Sequence, residues 1–119
     1  MAHVLIENDH LLVQLQGWHR VWALTRAVRV PVDHVRGATV DPGIVHEPKG
    51  LRAPGLFVPG AAVIGTFSRD GERNFWDVRD GSHAIVIELT QERFTRLIVD
   101  VEHPRAVVDL INQATSRVS

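Results

Sequence analysis

The stretch from Ser82 to Ala114, SHAIVIELTQERFTRLIVDVEHPRAVVDLINQA, constrains the fold more than any other part of the chain. Ile85, Ile87 and Leu89 alternate on one face, Thr90 to Arg93 make a polar turn, and Leu97, Val99 and Val101 alternate again. That pattern predicts two strands joined by a turn. A helix is expected at once after them. Pro104 suits the first helical position, whose N–H has no partner inside a helix, and Val107, Leu110, Ile111 and Ala114 then fall at i, i+3, i+4 and i+7. So a hairpin feeds a helix with one apolar stripe, and the stripe must lie on the open end or face of the sheet to which the hairpin belongs.

The rest of the chain reads as further strands. HVLIENDHLLVQLQ predicts a hairpin turning at Asn8-Asp9, with Leu11, Val13 and Leu15 on one face. In Gly17 to Thr25 the residues Trp18, Val21, Trp22 and Thr25 have helical spacing, while Trp18, Trp22 and Leu24 also fit one face of a strand. A short helix over residues 17–25, its two tryptophans covering one mouth of a small barrel, is the reading preferred. Val28, Val30 and Val32 alternate up to a second strand or bent extension at Val35 to Val40, and Pro31 confines its own strand to an edge or a bulge. Asp41 to Gly60, dense in proline and glycine, is expected to be a long loop and the first place to look for a binding edge. Ala61 to Phe67 resumes a strand, Asp70-Gly71 turns it, and Asn74 to Arg79 pairs back with Trp76 and Val78 on one face and Phe75 on the other. Asp80-Gly81 reads as another hairpin turn. The expectation is a single domain over residues 1–119, mainly β within the α+β class: an antiparallel, partly closed barrel or sandwich of about seven strands with a capping helix.

Composition sets limits on function. In 119 residues of which 45% are hydrophobic and 23% charged, no apolar run approaches the roughly 18 residues of a membrane span. Glu7 and Asp9 stand where a secretory signal needs a basic start, and there is no cysteine, so the expectation is a cytoplasmic protein without integral membrane association. A net charge of −1 argues against nucleic acid as a partner, which is usually met with a clear positive excess.

Four stretches resemble the pleckstrin-homology-like (PH-like) proteins of bacteria, of the actinobacterial hypothetical-protein type. They are VRVPVDHVRGATV (Val28 to Val40), GLFVPGAAVIGTF (Gly55 to Phe67), RNFWDVRDGSHAIVIEL (Arg73 to Leu89) and FTRLIVDVEHPRAVVDLI (Phe94 to Ile111). The resemblance implies seven strands followed by one helix, no catalytic residues, and a scaffolding or self-associating role. In eukaryotic PH domains basic residues between the first two strands hold phosphoinositide headgroups. Here Asn8 to His10 offers no lysine or arginine, a departure from that pattern.

No motif dictates a reaction. HExxH, a glycine-rich phosphate loop and a nucleophile elbow are all missing, so the expectation is a non-enzymatic module with no cofactor and no metal. His34, His46 and His83 with Asp41, Glu47 or Asp80 could meet around a metal only by chance of folding, and Asp70, Glu72, Asp77 and Asp80 read as solvated turn residues. Two surfaces stand out instead. If Ile85, Ile87 and Leu89 point inward, then Phe75, Val86 and Ile98 are expected outward as an apolar face for a second copy or another protein. Lys49, Arg52, Arg69 and Arg73 form the second candidate, a basic patch for an anionic ligand or lipid headgroup.

Overall fold

Two short turns that the sequence announces set the register of the strands around them. Asn8 and Asp9 adopt φ of 52° and 60°, and Asp70 and Gly71 adopt 54° and 81°, the left-handed pair that a two-residue hairpin needs. A computed structural model gives the fold and describes residues 2–15, 27–46, 51–58, 62–79 and 81–118; for 45–46, 51–58, 62 and 117–118 only the backbone is described. The first turn joins β1 (His3–Glu7) to β2 (His10–Gln14), and β3 (Ala27–Pro31) pairs with β2 to complete a three-stranded antiparallel sheet. Pro31 closes an outer strand, where its missing donor is harmless.

A single 3-10 turn, Val32–His34, then swings the chain into β4 (Val35–Val40), the outer strand of a second sheet. That sheet also contains β5 (Leu51–Val58), β6 (Ala62–Arg69), β7 (Glu72–Val78), β8 (Ala84–Leu89) and β9 (Arg96–Asp100), in the order β4-β8-β9-β7-β6-β5. All its pairs are antiparallel except β7 with β9. The helix α1 (Pro104–Val118) follows β9. The molecule is therefore mainly β, with two sheets and a C-terminal helix; it is compatible with the sandwich expected and is not a closed barrel. No helix among the described residues is long and apolar enough to cross a membrane.

Both faces of the central strands β6 to β9 of the six-stranded sheet are largely buried. On one, Phe75, Ile85, Ile87, Leu97 and Val99 pack against Val4, Leu11, Val13 and Val30 of the smaller sheet and Val108 and Ile111 of α1. On the other, Phe67, Trp76, Val78, Val86 and Ile98 pack together with Ile44, which comes from a 3-10 turn at Pro42–His46. A sheet covered on both sides explains why strands such as AIVIEL are nearly continuous in apolar residues.

Four expectations change. Residues 41–60 do not form one long loop: 42–46 form the 3-10 turn and 51–58 the strand β5. Its proline and glycine are accommodated because β5 lies at the end of the strand order and bulges between Arg52 and Gly55. Asp80-Gly81 does not turn a hairpin, since β7 and β8 are not neighbours; β9 lies between them, and Gly81–His83 is a 3-10 turn. The stripe of α1 is also rotated. Val108 and Ile111 are buried while Leu110 is 43% exposed. The described residues hold nine strands rather than about seven, and the helix expected over 17–25 lies outside them.

Candidate functional site

The sheet register brings one set of strand ends together. Val35 pairs with Leu89, Arg96 with both Glu88 and Asn74, Arg69 with Glu72, and Leu51 with Ser68. The β6–β7 turn, the 90–95 turn and the beginning of β5 therefore share one end of the six-stranded sheet. Backbone bonds tie this end together: Thr95 N–H donates to the Arg73 carbonyl at 2.8 Å, and Thr90 N–H to the His34 carbonyl at 2.9 Å.

Arginines collect there. Arg69 and Arg73 flank the hairpin tip, the backbone of Arg52 lies opposite Phe67, and Arg93 and Arg96 come from the neighbouring turn and strand. The side chain of Arg52 and all of Lys49 lie outside the described residues. Strand alternation separates Arg69 from Arg73. Arg69 shares a face with Glu72, Asn74 and Arg96, whereas Arg73 shares the opposite face with Phe75.

The two faces are charged differently in effect. On the first, Arg69 Nε stands 3.8 Å from Asp70 and Arg96 Nε stands 3.7 Å from Glu72, and Arg96 Nε also donates to Asn74 Oδ1 at 3.3 Å. On the second, the Phe94 ring packs 5.5 Å from that of Phe75, and the Arg93 guanidinium lies 5.0 Å from the Phe94 centroid. An arginine over a ring face is held by the ring's quadrupole while its donors stay available at the edge. Among the described residues neither Arg73 nor Arg93 makes an ion pair, and both are exposed. Arg73 on β7, with Arg93 and the half-buried Phe94 of the neighbouring turn, is the part of this end best arranged to take an anion. The sequence already carried the signal for the additional arginines, ERFTR, in which an aromatic sits between two arginines, but that stretch reads first as a polar turn.

Beside them His34 Nδ1–H donates to Glu92 Oε2 at 2.5 Å, tying the turn after β3 to the turn after β8. Removing the acceptor with Glu92→Ala should cost about 0.5–1.5 kcal/mol of stability, measurable by urea denaturation, because both side chains are more than two-thirds buried but neither is fully so.

The apolar face expected outward is not a surface. Phe75 is 1% exposed, Val86 7% and Ile98 0%, and they do not even share a face: Phe75 lies on the face of Leu97 and Ile87, while Ile98 neighbours Val86 and Trp76 on the other. Within one strand the alternation is fixed, but parity between strands depends on register, which hydropathy does not reveal.

The carboxylates Asp77 and Asp100 are fully buried; Asp100 Oδ2 accepts from the Arg79 amide at 3.0 Å. Among the described residues no three histidine, aspartate or glutamate side chains converge as metal ligands would. A cleft of about 270 Å³ between β1, residues 101–103 and α1 is lined by Ala2, Val4, Val101 and Val107, with His3, Glu102 and His103 at its rim. Comparison with family models, with curated proteins and with solved structures finds no match. The functional reading therefore rests on this geometry and on its chemistry.

Proposed function

We propose that the chain is a PH-like, non-enzymatic binding module, cytoplasmic in setting, that engages an anionic ligand through the arginine-bearing end of its larger sheet. The observation that carries this reading is the pair Arg73 and Arg93 at the end of the sheet that Phe94 covers, two guanidinium groups with no acidic partner among the described residues on a rim where Arg69 and Arg96 each have one. Planar, permanently charged guanidinium groups suit the oxygens of phosphate or carboxylate, and an adjacent aromatic limits how far they can move. The buried carboxylates favour binding over chemistry, because Asp77 and Asp100 are enclosed in the sheet layers where a substrate does not reach them.

Titration with inorganic tripolyphosphate at low salt tests it. The double reversal Arg73→Glu/Arg93→Glu should weaken binding by at least about tenfold, since each reversal replaces an attraction of up to about 1 kcal/mol with a repulsion of similar size. Arg105→Glu, on α1 beyond the far end of β9, should leave binding unchanged. Added salt should weaken the wild type more steeply than the reversed variant. Equal affinity in the wild type and the double variant would sink the proposal.

A further inference from the structure

At the arginine-bearing end, three arginines each have an acid beside them in the chain: Arg69 has Asp70, Arg73 has Glu72 and Arg93 has Glu92. The exposed Asp70 turns to its neighbour, and its Oδ2 lies 3.8 Å from Arg69 Nε. The other two acids are drawn elsewhere. Glu72 is parted from Arg73 because successive residues of a strand point to opposite faces, and its Oε1 stands 3.7 Å from Arg96 Nε. Arg93 has no strand alternation to part it from Glu92, since both lie in the 90–95 turn, where Gln91 takes a left-handed φ of 58°. There His34 intervenes. Its Nδ1–H donates to Glu92 Oε2 at 2.5 Å across 58 residues of chain, and the bond from Thr90 N–H to the His34 carbonyl, at 2.9 Å, holds the two turns together beside it. His34 and Glu92 are both half-buried, whereas Asp33, 3.9 Å from His34 Nε2, is mostly in solvent.

We infer that His34 is a positioning residue for anion binding: by drawing the Glu92 carboxylate to itself, it keeps the Arg93 guanidinium open to a phosphate or carboxylate ligand. The inference rests on the anion-binding reading of Arg73 and Arg93 and adds to it the residue that keeps one of them available. A carboxylate beside Arg93 competes with the ligand's oxygens for the same N–H donors and lowers the positive potential that attracts the ligand. Arg69 and Asp70 show that an arginine and the acid next to it in the chain come together on this rim when the acid has no other partner. Glu92 has one, and Arg93 lies over the Phe94 ring instead, 5.0 Å from its centroid. His34 touches no ligand in this scheme and acts only through Glu92.

The test compares His34→Phe, which keeps a ring in place but has no donor, with the double variant His34→Phe/Glu92→Gln, each titrated with inorganic tripolyphosphate at low salt. His34→Phe releases Glu92 toward Arg93 and should weaken binding about threefold to fivefold, the worth of one exposed ion pair. The double variant lacks the bond but also lacks the competing charge, and should bind at least as tightly as the wild type. If His34 served only to hold the turn in shape, the double variant would be as weak as His34→Phe, and that result overturns the inference. Nitrogen-15 spectra of the ligand-free proteins read the same event without a ligand. The Arg93 Nε–H should exchange with water more slowly in His34→Phe than in the wild type, because it gains a carboxylate acceptor, and should return to the wild-type rate in the double variant. Unchanged exchange in His34→Phe overturns the inference even where binding falls. A wild type that takes up no tripolyphosphate, while Arg93 exchange responds as expected, refutes anion binding at this end and upholds the hold of His34 on Glu92. If His34→Phe does not fold, His34→Ala takes its place, alone and with Glu92→Gln, and the same results decide.

Discussion

Phe75→Ala and Ile98→Ala are each expected to lower the unfolding free energy by about 3–4 kcal/mol, and to do so without changing the association state. Phe75 is packed among Leu97, Ile87 and the Phe94 ring on one side of the larger sheet; Ile98 lies with Trp76 and Val86 on the other. Truncating either removes a large buried side chain from a sheet layer whose neighbours are fixed by strand pairing and collapse poorly into the space. Because the two sit in separate layers, their effects should add. Typical domains have only about 5–15 kcal/mol to lose, so additivity is better read with the milder pair Phe75→Leu and Ile98→Val, whose double variant should match the sum within about 0.5 kcal/mol. Ile98→Val combined with Val86→Ala should depart from additivity, since those residues are direct cross-strand neighbours on one face. Chemical denaturation followed by tryptophan fluorescence measures all of this. A shift in oligomer mass with no change in the denaturation midpoint would mean that these positions form a contact surface after all.

What the sequence made legible divides along local and non-local lines. Asn8-Asp9 and Asp70-Gly71 are recognisable because the turn conformation depends on the two residues themselves, and both turn as expected. The alternation of Ile85, Ile87 and Leu89 is likewise a property of one strand, and all three enter the same cluster. Asp80-Gly81 has the same local chemistry as Asp70-Gly71 but does not close a hairpin, because β9, coming later in the chain, takes the place beside β7. No local pattern encodes that insertion. β5 was obscured for a related reason: proline and glycine break an inner strand but are tolerated at an edge, and edge position is a property of the assembled sheet. The candidate site was legible by half. Arg69 and Arg73 could be picked out as neighbours of a turn, and their separation onto opposite faces follows from the β6–β7 register, but the arrival of Phe94, with Arg93 over it, beside Phe75 depends on the β7–β9 pairing.

The docking of α1 should show a sharp contrast between adjacent residues. Ile111→Ala is expected to cost about 2–4 kcal/mol and Leu110→Ala no more than about 0.5 kcal/mol, although both belong to the apolar spacing seen in the sequence. Ile111 is 1% exposed and packs with Val108 into the core shared by the two sheets, whereas Leu110 is 43% exposed. The rotation follows from Asn112. A helix turns about 100° per residue, and the side chain that bonds the Ala38 peptide group must face β4, which puts Val108, Ile111 and Thr115 on the inner side with it and carries Leu110 outward. Of the apolar spacing at Val107, Leu110, Ile111 and Ala114, Ile111 stays in the core and Val107 packs against it, while Leu110, on the side opposite Asn112, is carried outward. Denaturation midpoints of the two single variants decide the matter: equal losses would mean that Leu110 is docked, and would place the Asn112 contact in doubt as well. If the losses differ as expected, amide exchange along β4 should rise in Ile111→Ala and stay at the wild-type level in Leu110→Ala, since only the first loosens the helix that holds Asn112 against the strand.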